Sequence, residues 1–96
     1  MKLNVQSIKF DADAKLLEFT EKKVSKLDRF FEPIISVDVK FSLLSDAANK
    51  NVRINVAVPG SSVVVERNAP SFETAVNECV DILKEKLTRM KEKRND

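Results

Sequence analysis

Near the start of the chain, Leu3 and Val5 alternate with Asn4 and Gln6, the two-residue period of a strand with one buried face, so a strand is predicted over Lys2 to Ile8. After Phe10 the period lengthens. Asp11 and Asp13 offer N-caps, and Leu16, Leu17, Val24, Leu27 and Phe31 recur at helical spacing, which predicts a helix from Ala14 to Phe31 with Pro33 just beyond its end. From Ile35 the period returns to two, with Ile35, Val37, Val39, Phe41 and Leu43 on one face and Ser36, Asp38, Lys40 and Ser42 on the other. A polar loop is expected from Leu44 to Lys50. Val52, Ile54, Val56 and Val58 then alternate with Arg53, Asn55 and Ala57 as a third strand. Pro59-Gly60 predicts a turn, because proline presets the first central dihedral and glycine accepts a positive φ at the second. Val63, Val64 and Val65 mark a fourth strand.

The last element opens at Pro70 and Ser71, with Ser71 as N-cap. Phe72, Ala75, Val76, Cys79, Val80, Leu83, Leu87 and Met90 form an apolar stripe that predicts a helix to about Arg94. The order β-α-β-β-β-α defines an α+β fold. Each strand keeps a polar face, so both helices are expected on one side of a four-stranded mixed sheet. The first helix is a crossover, which makes strands one and two parallel if they are neighbours; the hairpins make the other pairs antiparallel.

Composition narrows the function classes. The 96 residues fit one domain, and a hydrophobic share of 43% suffices for a modest core. No apolar stretch approaches the roughly 20 residues that cross a bilayer. A lone cysteine, Cys79, forms no internal disulfide, and no secretory leader pattern opens the chain, so a reducing cytoplasm is the expected setting. The chain has no His, Trp or Tyr and one Gly, which leaves no Ser-His or Cys-His nucleophile pair, no close Cys/His zinc cluster and no glycine-rich phosphate loop. Asp11 with Asp13 read better as caps, and Asp81 with Glu85 as a solvated face, than as acid/base pairs. Neither an enzyme, nor a cofactor, nor a small-molecule substrate is expected. Phe19, Phe31, Phe41 and Phe72 fall on the predicted buried faces, with Phe10 and Phe30 unassigned, so core packing is preferred to base stacking.

The net charge of +2 and the pI of about 8.8 say little about partners. The placement of charge says more, since the two predicted helices hold eleven of the 17 Lys and Arg residues. At about 100° per residue, Lys15, Lys22, Lys26 and Arg29 form a stripe beside the apolar face, running roughly 20 Å along the axis, with Lys23 nearer the apolar side and free to snorkel. In the last helix Lys86, Arg89 and Lys93 share one flank of the apolar stripe and Lys84 and Lys91 the other, while Glu78, Asp81, Glu85 and Glu92 occupy the back. Such runs also complement helix dipoles and keep a surface soluble. Two stripes on helices that share a sheet face can merge across the groove between them into a nucleic-acid surface.

At this point the chain resembles the short ribosome hibernation promoting factors, also called ribosome-associated inhibitors or sigma-54 modulation proteins. The resemblance spans nearly the whole chain and rests on Leu3-Asn4-Val5-Gln6, Lys23-Val24-Ser25-Lys26-Leu27-Asp28-Arg29, Ile35-Ser36-Val37-Asp38-Val39, Val58-Pro59-Gly60, and the run from Phe72 to Leu87 with Arg89, Lys91 and Lys93 after it. It implies the β-α-β-β-β-α fold and binding to the small ribosomal subunit and its rRNA, in the channel used by messenger RNA and transfer RNA, which keeps stored ribosomes silent. The RNA-binding residues expected from the charge pattern and the resemblance together are Lys22, Lys23, Lys26, Arg29, Lys86, Arg89, Lys91 and Lys93. Two usually basic positions of the second helix are Ile82 and Glu85 here, and Lys86 stands where the family usually has Gln. The expectation is one ribosome-binding domain over residues 1–96, monomeric when free, without the additional C-terminal domain with which long members pair ribosomes. Two other readings compete: a protein-interaction modulator of sigma-54 transcription, and a general binder of double-stranded RNA. A steep salt dependence separates RNA binding from a mainly apolar protein interface.

Overall fold

In the computed structural model, which describes residues 1–31, 33–45 and 49–94, the elements follow in the order β1 (Lys2–Ser7), α1 (Ala14–Ser25), a 3-10 turn (Lys26–Arg29), β2 (Ser36–Leu43), β3 (Lys50–Val58), β4 (Ser61–Ala69) and α2 (Phe72–Arg94). The strands lie in the order β1-β2-β3-β4 in one sheet. β1 runs parallel to β2 with Leu3 beside Val37 and Val5 beside Val39, and both following pairs are antiparallel. Gly60 turns β3 into β4 at φ 77°, the left-handed conformation that a side chain disfavours.

Period-two alternation becomes burial on one side of the sheet. Val37, Val39 and Phe41 of β2 and Val52, Ile54, Val56 and Val58 of β3 are buried, together with Val65 and Ala69 of β4. Leu16, Val24 and Leu27 come to that core from α1 and the 3-10 turn, and Ala75, Val76, Cys79, Val80, Leu83 and Leu87 from α2. Both helices therefore cover one face and leave Asn4, Gln6, Asp38, Lys40 and Arg53 exposed on the other, with Ser36 and Asn55 half-buried there. Ser42 Oγ donates to Asn51 Oδ1 at 3.0 Å and Asn51 Nδ2 to Asn68 Oδ1 at 2.6 Å, a polar row across three strands.

The caps act as their chemistry dictates. Asp13 Oδ1 accepts from the Leu16 amide at 2.8 Å, and Ser71 Oγ accepts from the Thr74 amide at 3.2 Å, so each helix start has a side-chain acceptor for an otherwise orphaned donor.

The structure corrects the sequence reading in places. α1 ends at Ser25 and the chain tightens into a 3-10 turn through Arg29, rather than continuing as α-helix to Phe31. Leu27 and Phe31 are buried all the same, because an apolar residue every three or four positions satisfies both geometries. Leu17 is 39% exposed, and Ile35 and Leu43, at the two ends of the β2 pattern, are 56% and 48% exposed, where the helices no longer cover the sheet. β4 is longer than its Val63-Val64-Val65 signal, and the middle of the expected 44–50 loop lies outside the described residues. Phe10 joins the core margin, stacked on Phe72 with centroids 5.2 Å apart, and Phe72 meets Phe41 edge-on.

Topology fixes the direction of the helices. β1, β2 and β4 point the same way, and each helix returns from the end of one of these strands. α1 and α2 are therefore co-directed, and their C-terminal ends meet at one pole of the molecule.

Candidate nucleic-acid interface

This shared pole gathers much of the basic charge. Lys22 and Lys23 occupy the last turn of α1, and Lys26 and Arg29 the 3-10 turn after it. Three residues complete a turn in 3-10 geometry, so Lys26 and Arg29 stand in line, roughly 6 Å apart along the axis, where an α-helix would rotate them by about 60°. Lys22 and Arg29 are exposed, whereas Lys23 and Lys26 are half-buried. Lys23 snorkels along Phe19, with Nζ 5.6 Å from the ring centroid.

α2 faces the pole with one flank. Lys84 Nζ lies 5.5 Å from the centroid of Phe30, just after the 3-10 turn, and Lys91 lines a depression with Asp28, Arg29 and Phe31. Lys84 and Lys91 therefore continue the stripe of α1. The other flank points elsewhere: Glu78 lines a depression with Glu66, Arg67 and Asn68 of β4, and Lys86, Arg89 and Lys93 lie at helical spacing on that side. The eight expected residues thus form two groups. Arg29 and Lys91 meet at the helix junction, beside Asp28, with Lys22, Lys23 and Lys26 on the same end of α1 and its 3-10 turn, while Lys86, Arg89 and Lys93 form a separate basic flank on the β4 side of α2. Helical periodicity had placed these flanks apart; which flank meets α1 depends on how α2 packs, and Lys84 is the member of the junction missing from the expected set.

Electrostatics separates the groups further. Among the described residues the one ion pair joins Arg89 to Glu85, one helical turn away on the exposed surface. Glu85 thus engages the nearest guanidinium. Ile82 packs half-buried against the core and is withdrawn from the surface. The α-helix dipoles place partial negative charge at the same pole, which stabilises the lysines there and trims the field an anion meets.

Cys79 is fully buried, its Sγ donates to the Val52 carbonyl at 3.6 Å, and burial pushes its thiol up to about 12, against a partial opposing pull from Arg67. That makes it a poor nucleophile and supports its reading as a core residue. Among the described residues there is no group of three or more His, Cys, Asp or Glu side chains placed to hold a metal, and no helix long and apolar enough to cross a membrane. Phe31 and Phe41 are buried and Phe10, Phe19, Phe30 and Phe72 half-buried, so they offer no open platform for bases.

The sequence and the fold both have relatives among known proteins. A family profile described as "Sigma 54 modulation protein / S30EA ribosomal protein" matches residues 3–95. A ribosome hibernation promoting factor of Azotobacter vinelandii is 27% identical over 93 residues, covering 97% of this chain and 85% of that protein. The N-terminal domain of Protein Y from Thermus thermophilus superposes with a TM-score of 0.81 at 25% identity, over 94% of this chain and 99% of that one. A ribosomal subunit interface protein from Coxiella burnetii gives 0.79 at 25% identity, over 95% and 98%.

Proposed function

The chain belongs to the sigma 54 modulation protein / S30EA ribosomal protein family, and from that premise we propose that it is a non-enzymatic translation inhibitor that binds the small ribosomal subunit. The observation that carries this reading is the convergence of two co-directed helices on one pole, where Arg29 meets Lys91 beside Asp28 and Lys22, Lys23 and Lys26 end α1 next to them, none of these cations in an ion pair among the described residues. The similarity to a ribosome hibernation promoting factor and to a ribosomal subunit interface protein supports it.

Phosphates of rRNA are the natural complement of such a pole. Each one neutralised releases condensed counterions, which gives binding without base readout. Lys86, Arg89 and Lys93 form a second, weaker contact along the β4 side. The body measures 44 × 22 × 19 Å, and seated in the channel that carries messenger RNA and transfer RNA it blocks both by occupying their space. No bond is made or broken. Residues 1–96 act as one monomeric unit in the cytoplasm, where the ribosomes are.

Sedimentation with purified small subunits tests the reading, in parallel with cell-free translation. The protein should travel with the subunits, leave them when messenger RNA and transfer RNA are added in excess, and halt translation at stoichiometric amounts. Binding that survives this competition places the protein outside the channel. Failure to sediment with subunits at low salt removes the proposal.

A further inference from the structure

The open face of the sheet, on the side away from both helices, carries a second basic feature. Lys40 of β2 and Arg53 of β3 are direct register partners, both exposed, in a depression also lined by Asn4, Val5, Gln6, Asp38, Val39 and Asn55. Like charges placed directly opposite on adjacent strands repel and destabilise a sheet. Glu66 is the register partner of Arg53 on the far side, yet no ion pair forms between them among the described residues, and Asp38 Oδ1 accepts from Asn4 Nδ2 at 2.9 Å. Asn55 Oδ1 lies enclosed nearby without a donor. The face thus holds two cations side by side with no ion pair to either among the described residues, the Asp38 carboxylate and amide groups around them, and an unmet acceptor.

We infer that Lys40 and Arg53, paired across β2 and β3 on the open face of the sheet, form a second anion subsite that takes a backbone phosphate of an RNA strand. Register partners have Cβ atoms about 5 Å apart, close enough for an ammonium and a guanidinium to grip the same phosphate. The amides of Asn4 and Gln6 flank it with donors and acceptors for ribose hydroxyls, and a small rotation of Asn55 lets a hydroxyl reach its acceptor. Val5 and Val39 line the depression beside these charges and amides, and it has no aromatic residue of the kind that anchors the centre of a protein interface. No phenylalanine lies among its lining residues, so contact is through the backbone and independent of sequence. The domain then meets RNA on two opposite faces, as a body lodged between RNA walls does. Only the source of the strand rests on the ribosome reading.

The test uses the whole chain and the double variant Lys40→Gln/Arg53→Gln. In an NMR titration with a short oligouridine at low salt, signals of Gln6, Lys40, Arg53 and Asn55 should shift, and the double variant should lose these shifts while keeping those at the helix pole. Its melting temperature should be unchanged or higher, since a like-charge contact is gone. Its log-log salt slope for small-subunit binding should fall in magnitude by roughly 0.7 to 0.9, one phosphate. Shifts confined to the helix pole, an absence of shifts at low salt, or sheet shifts that persist in the double variant overturn the subsite. Equal sheet shifts with polyglutamate assign the face to a carboxylate partner and overturn the RNA assignment. Sheet shifts with oligouridine in a protein that ignores small subunits uphold the subsite and reject the ribosome reading instead.

Discussion

At the end of α1 the chain tightens into a 3-10 turn that lines up Lys26 and Arg29, whereas α2 runs on as regular helix, turns Lys86, Arg89 and Lys93 towards the β4 side and ties Arg89 to Glu85. Both segments are rich in cations. They differ in availability: the first offers its charge at the junction where Lys84 and Lys91 join it, and the second offers part of its charge already partnered and facing away. The number of basic residues in a helix therefore says less about an RNA surface than the flank they share and the acids beside them.

The largest effect is expected where the comparison should break down, in the core that anchors both ends. Leu27→Ala under the 3-10 turn and Leu83→Ala in mid-α2 remove side chains with no exposed surface, and each should cost roughly 2 to 5 kcal/mol in denaturant melts. A loss below about 1 kcal/mol for Leu27→Ala alone would mean the turn is loosely held and its alignment of Lys26 with Arg29 is not fixed.

Binding should then separate the two groups. Changing Lys22, Lys26, Arg29 and Lys91 to Gln should weaken small-subunit affinity about 100-fold, close to 2.7 kcal/mol, and lower the magnitude of the salt slope by roughly 2.8 to 3.6. Changing Lys86, Arg89 and Lys93 should cost less than about 10-fold. Equal losses in co-sedimentation would erase the distinction between pole and β4 edge.

Thr20 sharpens it from the fold side. Its Oγ1 is fully enclosed on the buried face of α1 with no partner among the described residues, so Thr20→Val should raise stability by about 1 kcal/mol without moving ribosome affinity. The smallest effect belongs to the ion pair. Glu85→Gln frees Arg89 and removes a negative charge, and affinity should rise by a factor of roughly two to five, within the usual worth of an exposed pair. Unchanged affinity would put Arg89 outside the contact.

Much of this was legible in the chain itself. Alternation at Val37, Val39 and Phe41 and at Val52 to Val58 marks the buried face because strand side chains must alternate, and Asp13 and Ser71 mark helix starts because orphan amides need acceptors. The end of α1 was not, since Leu27 and Phe31 satisfy a 3.6- and a 3.0-residue period alike. Nor was the exposure of Ile35 and Leu43, which depends on how far the helices reach over the sheet. At the candidate site the basic types and their flanks could be read from spacing, but the neighbour each flank meets is a property of packing. The Lys40–Arg53 pair was hidden for the same reason, because register between β2 and β3 is set in three dimensions.

The position of β1 has a consequence for motion. It is an edge strand whose partner is the distant β2, joined only after α1 has crossed over, and its apolar residues Leu3 and Val5 are only partly buried. β2, β3 and β4 pair with strands adjacent in sequence, so β1 is expected to dock late in folding and to leave first when the molecule opens locally. In hydrogen exchange the amides of β1 should therefore lose protection ahead of those of β3. Each such opening bares the outer edge of β2, a row of backbone groups able to accept a strand from another chain. Slow exchange in β1, equal to that of β3, would show instead that the sheet opens only as a whole.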